Sequence, residues 1–201
     1  MILGTHDGFD GGQAPAPWFV DLVRRFAGEH PTLDYGCGSG RYAAFVPVCD
    51  GYDPHTGKAD VRTLYSGKRD IPASAYDRIM SIEVIEHVLD VDEYLQSITR
   101  AAAPEAELLV TTPNIGWWKH RLRSIMGQPP AGEPPDTTPH IRHFTWPSLQ
   151  RTLEKYGWNP MPPYTSLSRG SWAGFPGGST LLKAGAWPEL FSAGIIMHCK
   201  R

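Results

Sequence analysis

The sequence predicts an α/β domain: a mostly parallel β-sheet covered by helices on both faces. Apolar strand-like runs alternate with helix-like runs from residue 30 to about 115. Such an order demands crossover connections, and crossovers bring consecutive strands side by side in the same direction. A glycine-rich turn, "DYGCGSG" at 34–40, directly follows the first strand, and the second strand ends on an acid, Asp53. Ligands on sheets of this kind bind beyond the carboxyl ends of the strands, which is where both features fall.

The elements follow in order. "WFVDLVRRFA" (18–27) puts Trp18, Phe19, Leu22, Val23 and Phe26 on one helical face, with Gly28 as its stop. "PTLDYG" predicts the first strand, Ser39 to Val46 a helix, and "VCDGYD" the second strand. "YDRIMSI" (76–82) has the character of a buried strand, and Asp90 with Glu93 predicts a capped helix carrying Val91, Tyr94, Leu95 and Ile98. "AELLVTT" (106–112) is the next strand. Thr145 is placed to cap a helix over 146–156 that ends at Gly157, and "GIIMHCK" is the last strand. "NPMPPY" (159–164) is expected as a proline-rich turn into a late strand.

With 201 residues, 41% of them hydrophobic, the chain suffices for one substantial core and is expected to form a single domain over 1–201, with residues 1–17 as a flexible N-terminal segment. Its 21 glycines and 19 prolines gather at 4–17, 127–139 and 157–178, where they punctuate the elements. A net charge of −2 offers no broad basic field, so nucleic acid is not expected as a partner. No stretch approaches the roughly 20 apolar residues that span a bilayer, and the N-terminus lacks a basic start followed by an apolar run. Cys37, Cys49 and Cys199 are odd in number and widely spaced, which fits neither a disulfide framework nor a structural zinc site. A cytoplasmic protein without a membrane partner is expected.

In the glycine turn, Gly36, Gly38 and Gly40 let the chain bend tightly and let a ligand approach the backbone. The G-x-G-x-x-G fingerprint of dinucleotide sites would need its third glycine at position 41, where Arg41 stands. A nicotinamide cofactor is therefore disfavoured. Asp53 lies 19 residues after Asp34, near the spacing at which an acid reaches a ribose in β-α-β nucleotide sites. A nucleoside ligand is expected.

"LDYGCGSG", "GYDP", "ADVRTL" and "YDRIMSIEVIEHV" together resemble, in order and spacing, the class I S-adenosylmethionine-dependent methyltransferases of the small-molecule group called type 11. The resemblance covers roughly residues 30–115. It implies a Rossmann-like seven-stranded, mostly parallel sheet with helices on both faces and a lid insertion after strand five, and it implies methyl transfer from S-adenosyl-L-methionine, with S-adenosyl-L-homocysteine as product, to a small-molecule oxygen, nitrogen or carbon. On that pattern Asp34, Gly36 and Gly38 line the methionine and ribose part of the cofactor, and Asp53, followed by Pro54, takes the ribose hydroxyls. Asp60 meets the adenine amine, the Val61 N–H meets the ring, and Glu83 with Val84 sits at the sulfonium end. The second half, "TTPNIGWWKHRLRSIMG" and "PHIRHFTWPSLQRTLEKYGW", is loosely similar to MetW-like proteins, which raises a second expectation: an accessory protein that binds a metabolic enzyme with little catalysis of its own.

Methyl transfer is an in-line displacement at carbon, so a site for it mainly holds acceptor and methyl in line and excludes water. A base is needed only for acceptors that are protonated and poor. The candidates are His87, which closes "EVIEHV" beyond the fourth strand, and His140 and His143, since an imidazole titrates near neutrality. Residues 114–143 are expected to form the acceptor-site lid, with the bases of the Trp117–Arg123 stretch in water and its tryptophans packed. His140 and His143 have no acidic or cysteine neighbour in sequence to complete a ligand set, so no metal site is expected.

Overall fold

The computed structural model describes residues 15–130, 140–161, 165–168, 180–183, 190 and 193–201. Most of the N-terminal segment and residues 131–139 of the expected lid lie outside these.

The chain folds as α1 (Pro17–Ala27), β1 (Thr32–Tyr35), β2 (Cys49–Tyr52), β3 (Leu64–Tyr65), β4 (Tyr76–Ile82), α2 (Val91–Ala101), β5 (Ala102–Pro113), α3 (Trp118–Ile125), α4 (Trp146–Glu154), β6 (Asn159–Pro160), β7 (Thr165–Ser168), β8 (Thr180–Lys183) and β9 (Gly194–Lys200). One sheet runs β3-β2-β1-β4-β5-β9-β7, the expected seven strands, with β8 added beyond β7 and β6 pairing on β9. The strands from β3 to β5 are all parallel, while β9 runs antiparallel between β5 and β7.

Period-two alternation in the central strands builds two cores. Leu33, Ile79, Leu108, Val110, Ile195 and Met197 face Tyr94, Leu95 and Ile98 of α2 and Leu149 and Leu153 of α4. Met80, Ile82, Leu109 and Ile196 face Phe19, Val23 and Phe26 of α1. Helices thus cover both faces. Asp90 caps α2 by accepting from the Glu93 N–H, and Thr145 with Ser148 forms a capping box on α4.

The helix expected over Ser39–Val46 is not formed: the segment is a turn followed by one 3-10 turn at Ala43–Phe45. Gly40 sits at φ +87° and Pro47 follows closely, so too few residues remain to offset the cost of helix nucleation. The N–H groups after β1 therefore belong to a loop, without a helix dipole behind them. β5 starts earlier than expected, at Ala102, because its pairing with β4 carries a register shift between Tyr76 and Arg78. Among the described residues no helix is long and apolar enough to cross a membrane.

Candidate active site

β1 and β2 end side by side, Asp34 opposite Gly51 and Tyr35 opposite Tyr52, so the loops after them share one space. The Gly36 and Cys37 N–H groups both donate to the Tyr52 carbonyl, at 2.7 and 3.1 Å, which folds the glycine turn back over β2. Gly36 takes φ +89°, and a Cβ there would stand 2.5 Å from Val84 Cγ2. Gly40 takes φ +87°, and a Cβ would fall 2.6 Å from the Asp60 nitrogen. The loop is thus clasped between the β4 exit on one side and the Asp60 segment on the other, where the Asp60 N–H donates to the Ser39 carbonyl at 2.8 Å.

Asp53 is buried and accepts from the Gly38 N–H at 3.0 Å on Oδ2, and from the His55 and Thr56 N–H groups at 2.8 and 3.2 Å on Oδ1. A carboxylate has about four acceptor positions, so one more donor fits, on Oδ2. Asp34 is also buried, and its Oδ2 is enclosed without a hydrogen-bond partner. Burial first, and the nearby Asp53 charge second, push its carboxyl up to about 7. An enclosed, unsatisfied acceptor costs stability unless a donor or a cation arrives. A ligand with an ammonium, a sulfonium and a ribose hydroxyl fits these two acids, Asp53 having room for one hydroxyl and not for the pair expected. Pro54 and Asp60 are exposed at the rim, and Val61 is half-buried.

A different acid on the same strand is structural. Asp50 accepts from Arg62 at 2.8 and 2.6 Å and from the Tyr76 hydroxyl at 2.9 Å, facing away from the loop. Burial alone would raise its carboxyl; the Arg62 and Tyr76 hydrogen bonds outweigh this and hold it below the usual range.

The β4 exit carries the second group of candidates. Glu83 takes φ +55°, a conformation rare for a residue with a side chain, and Thr111 holds it there. The Glu83 N–H donates to the Thr111 carbonyl and to Oγ1, and Thr111 Oγ1 donates to Glu83 Oε1 at 2.8 Å. Val84 is fully buried against Gly36. His87 is buried, and His140 faces it with ring centroids 4.8 Å apart. His143 is exposed and stands outside this pair.

The His140–His143 segment is tied to the exit by its backbone and by Arg142. Ile141 and Arg142 N–H groups donate to the Glu86 carbonyl at 3.0 and 3.1 Å, and the Arg142 guanidinium donates to the Val88 and Leu89 carbonyls at 2.9 and 2.6 Å. Sequence reasoning overlooked Glu86. Its carboxylate is buried at 1% exposure, accepts from Thr112 Oγ1 at 3.0 Å, and lies 3.9 Å from His87 Nε2. The available signal was a charge inside an otherwise buried run, "EVIEHV". The acidic neighbour that His140 lacks in sequence is therefore supplied by the fold.

On the far side, Lys119 Nζ lies 4.9 and 5.7 Å from the Trp117 and Trp118 ring centres. Arg121 and Arg123 donate to the Gly116 and Pro129 carbonyls, so these cations brace the segment after β5.

Residues 13–161 match the family model described as "Methyltransferase domain". Comparison with curated protein sequences returns no match. Solved structures share the fold at low identity. A S-adenosylmethionine-dependent methyltransferase of Thermotoga maritima, described as a possible histamine N-methyltransferase, is 13% identical with a TM-score of 0.68, over 90% of this chain and 86% of that one. A S-adenosylmethionine-dependent methyltransferase of Archaeoglobus fulgidus is 13% identical with a TM-score of 0.61, over 92% and 93%. A Haloferax volcanii chain solved in a complex of the Trm112 methyltransferase activator with a methyltransferase is 13% identical with a TM-score of 0.59, over 90% and 87%.

Proposed function

Since the chain belongs to the methyltransferase-domain family and is a S-adenosylmethionine-dependent methyltransferase, we propose that it methylates a small-molecule oxygen, nitrogen or carbon held between the β4 exit and the His140 segment. The observation that carries this reading is the convergence of an unsatisfied buried acid, Asp34, a clasped glycine loop packed on Val84, and Asp53, with the facing His87 and His140 in the β4 exit that continues from Val84.

When bound, the cofactor supplies a methyl group already activated on a positive sulfur. The residues of this chain bind and orient. Asp34 takes the ammonium at the methionine end, and Asp53 Oδ2 accepts a ribose hydroxyl beside the Gly38 N–H. Asp60 and the Val61 N–H receive adenine at the exposed rim. Glu83 and Val84 form the wall at the sulfonium end, where Val84 packs on the Gly36 turn. His87 and His140 face the acceptor, and either imidazole can take a proton from it as methyl and nucleophile close. The net charge of −2 supports a small acceptor over nucleic acid, and a cytoplasmic setting goes with buried free Cys37, Cys49 and Cys199.

The test is incubation of the chain with methyl-labelled S-adenosylmethionine and a cell extract, separated afterwards into small-molecule, protein and nucleic-acid fractions. Label in the small-molecule fraction, absent with Asp53→Ala, is expected. Label confined to protein or nucleic acid would reject the acceptor class.

A further inference from the structure

Glu86, His87 and His140 bring one carboxylate oxygen and two imidazole nitrogens within 4.8 Å of one another. They come from segments more than 50 residues apart in sequence, and the contacts that join those segments fix their geometry. Thr112 orients the Glu86 carboxylate from β5, and the Glu86 carbonyl accepts both N–H groups that follow His140. Arg142 fastens the same segment to Val88 and Leu89. Supporting hydrogen bonds of this kind are what hold the ligands of a metal site in place.

We propose that this cluster binds a divalent transition-metal ion, and that the ion takes an oxygen of the methyl acceptor. The second half of this statement rests on the methyl-transfer reading above; the first does not. Two imidazoles and one carboxylate suit zinc, manganese, iron or cobalt, whereas magnesium and calcium favour all-oxygen sets. Metal–ligand bonds of 2.0–2.2 Å require ligand atoms roughly 3–4 Å apart, so side-chain rotations of about an ångström close the set. His87 Nε2 and Glu86 Oε1 are already 3.9 Å apart. Three protein ligands leave coordination positions open, the arrangement of reactive sites more than of structural ones.

The position gives the ion its use. The cluster begins two residues after Val84, which packs on the Gly36 turn, so an ion here lies beside the wall at which the methyl group is presented. A hydroxyl held by a divalent cation loses its proton more readily. With both imidazoles bound to the ion, neither acts as the base: in the balanced step the proton passes to water, the acceptor oxygen forms its bond to the methyl carbon, and the carbon–sulfur bond breaks with its electron pair remaining on sulfur. The product is a methyl ether and neutral S-adenosylhomocysteine. The ion is unchanged.

The test uses the full chain freed of metal by chelation, titrated with Co2+ by visible absorption and with Zn2+ by calorimetry, with S-adenosylhomocysteine affinity and thermal melting measured on the same samples. One ion per chain is expected, with about tenfold or greater weakening in His140→Ala and Glu86→Gln and S-adenosylhomocysteine affinity little changed. His140 is half-buried on a surface segment, so His140→Ala remains informative even if Glu86→Gln, which alters the Thr112 bond, melts early. Absence of saturable binding, or equal binding by His140→Ala, overturns the site. Metal binding lost in both variants by a chain that fails to bind S-adenosylhomocysteine would uphold the metal site and reject its link to methyl transfer. S-adenosylhomocysteine binding without metal binding would reject the metal site and leave methyl transfer standing.

Discussion

The Gly38 N–H donates to Asp53 Oδ2 at 3.0 Å, a bond that spans 15 residues and ties the loop after β1 to the end of β2. One carboxylate thereby organises two loops, since His55 and Thr56 donate to its other oxygen. Asp53→Ala removes the acceptor for three backbone donors and the proposed ribose contact together. The expected result is loss of calorimetrically detectable S-adenosylmethionine binding and a melting-temperature drop corresponding to about 1–3 kcal/mol. Asp53→Asn keeps an acceptor oxygen and is expected to recover part of the stability with less of the affinity. Unimpaired binding by Asp53→Ala would remove Asp53 from the cofactor site.

The Gly36–Val84 contact allows separation of shape from backbone strain. Gly36→Ala meets Val84 at 2.5 Å and also carries a side chain at φ +89°. We expect destabilisation of about 2 kcal/mol or more, the sum of overpacking and left-handed strain. Adding Val84→Ala relieves only the first. A double-mutant cycle by denaturant unfolding should therefore show favourable coupling near 1 kcal/mol with incomplete rescue. Strict additivity would mean that the loop moves away from Val84 at no cost.

Asp50 and Asp53 lie three residues apart and differ in task. Arg62→Ala leaves the buried Asp50 carboxylate with its Tyr76 bond but without the guanidinium. Arg62 is itself 56% exposed, so the cost is set at about 1–2 kcal/mol, well under that of breaking a fully buried pair. Asp50 has a lowered carboxyl in the folded chain, so its stabilisation is present above the ordinary value of 3.8 and is lost as pH falls. Arg62→Ala should flatten that acid limb in pH-dependent melting and leave S-adenosylhomocysteine affinity intact. A fall in affinity as large as that of Asp53→Ala would show that Asp50 serves the ligand.

The strands were legible because their signals are local. "YDRIMSI" and "GIIMHCK" match β4 and β9 residue for residue, since buried strands bounded by turn residues leave a dense apolar signature. The helix expected after Gly40 was misread because apolar spacing says nothing about whether enough residues remain to nucleate. The tight turn at Gly36 and Gly38, with the buried acids Asp34 and Asp53 beside it, was legible because a turn requiring positive φ has to write glycine, and an acid at a strand end stands out. Glu86 was not. Its neighbours include Thr112, 26 residues on, and His140, on a segment that Arg142 and backbone bonds tie to the β4 exit. No periodicity within one element encodes such a meeting.

Asp34 provides a pH prediction whose sign is opposite to that of Asp50. Its carboxyl is raised from 3.8 to about 7 by burial first and by Asp53 second. A raised acid holds its proton in the folded chain where the unfolded chain has released it. Its contribution is therefore complete below pH 3.8 and is lost as pH climbs towards 7. Without ligand, stability is expected to decline across that window, by up to about 1.4 kcal/mol per pH unit. In Asp34→Asn the decline should vanish, leaving a flatter profile. A cationic ligand reverses the preference, because the ionised carboxylate is the form that pairs with an ammonium. Binding of S-adenosylmethionine at pH 6 is then accompanied by release of close to one proton, seen as a dependence of calorimetric enthalpy on the ionisation enthalpy of the buffer. Asp34→Asn should bind weakly and release none. An unchanged proton count in the variant would assign the release elsewhere and leave Asp34 as a structural acid at the end of β1.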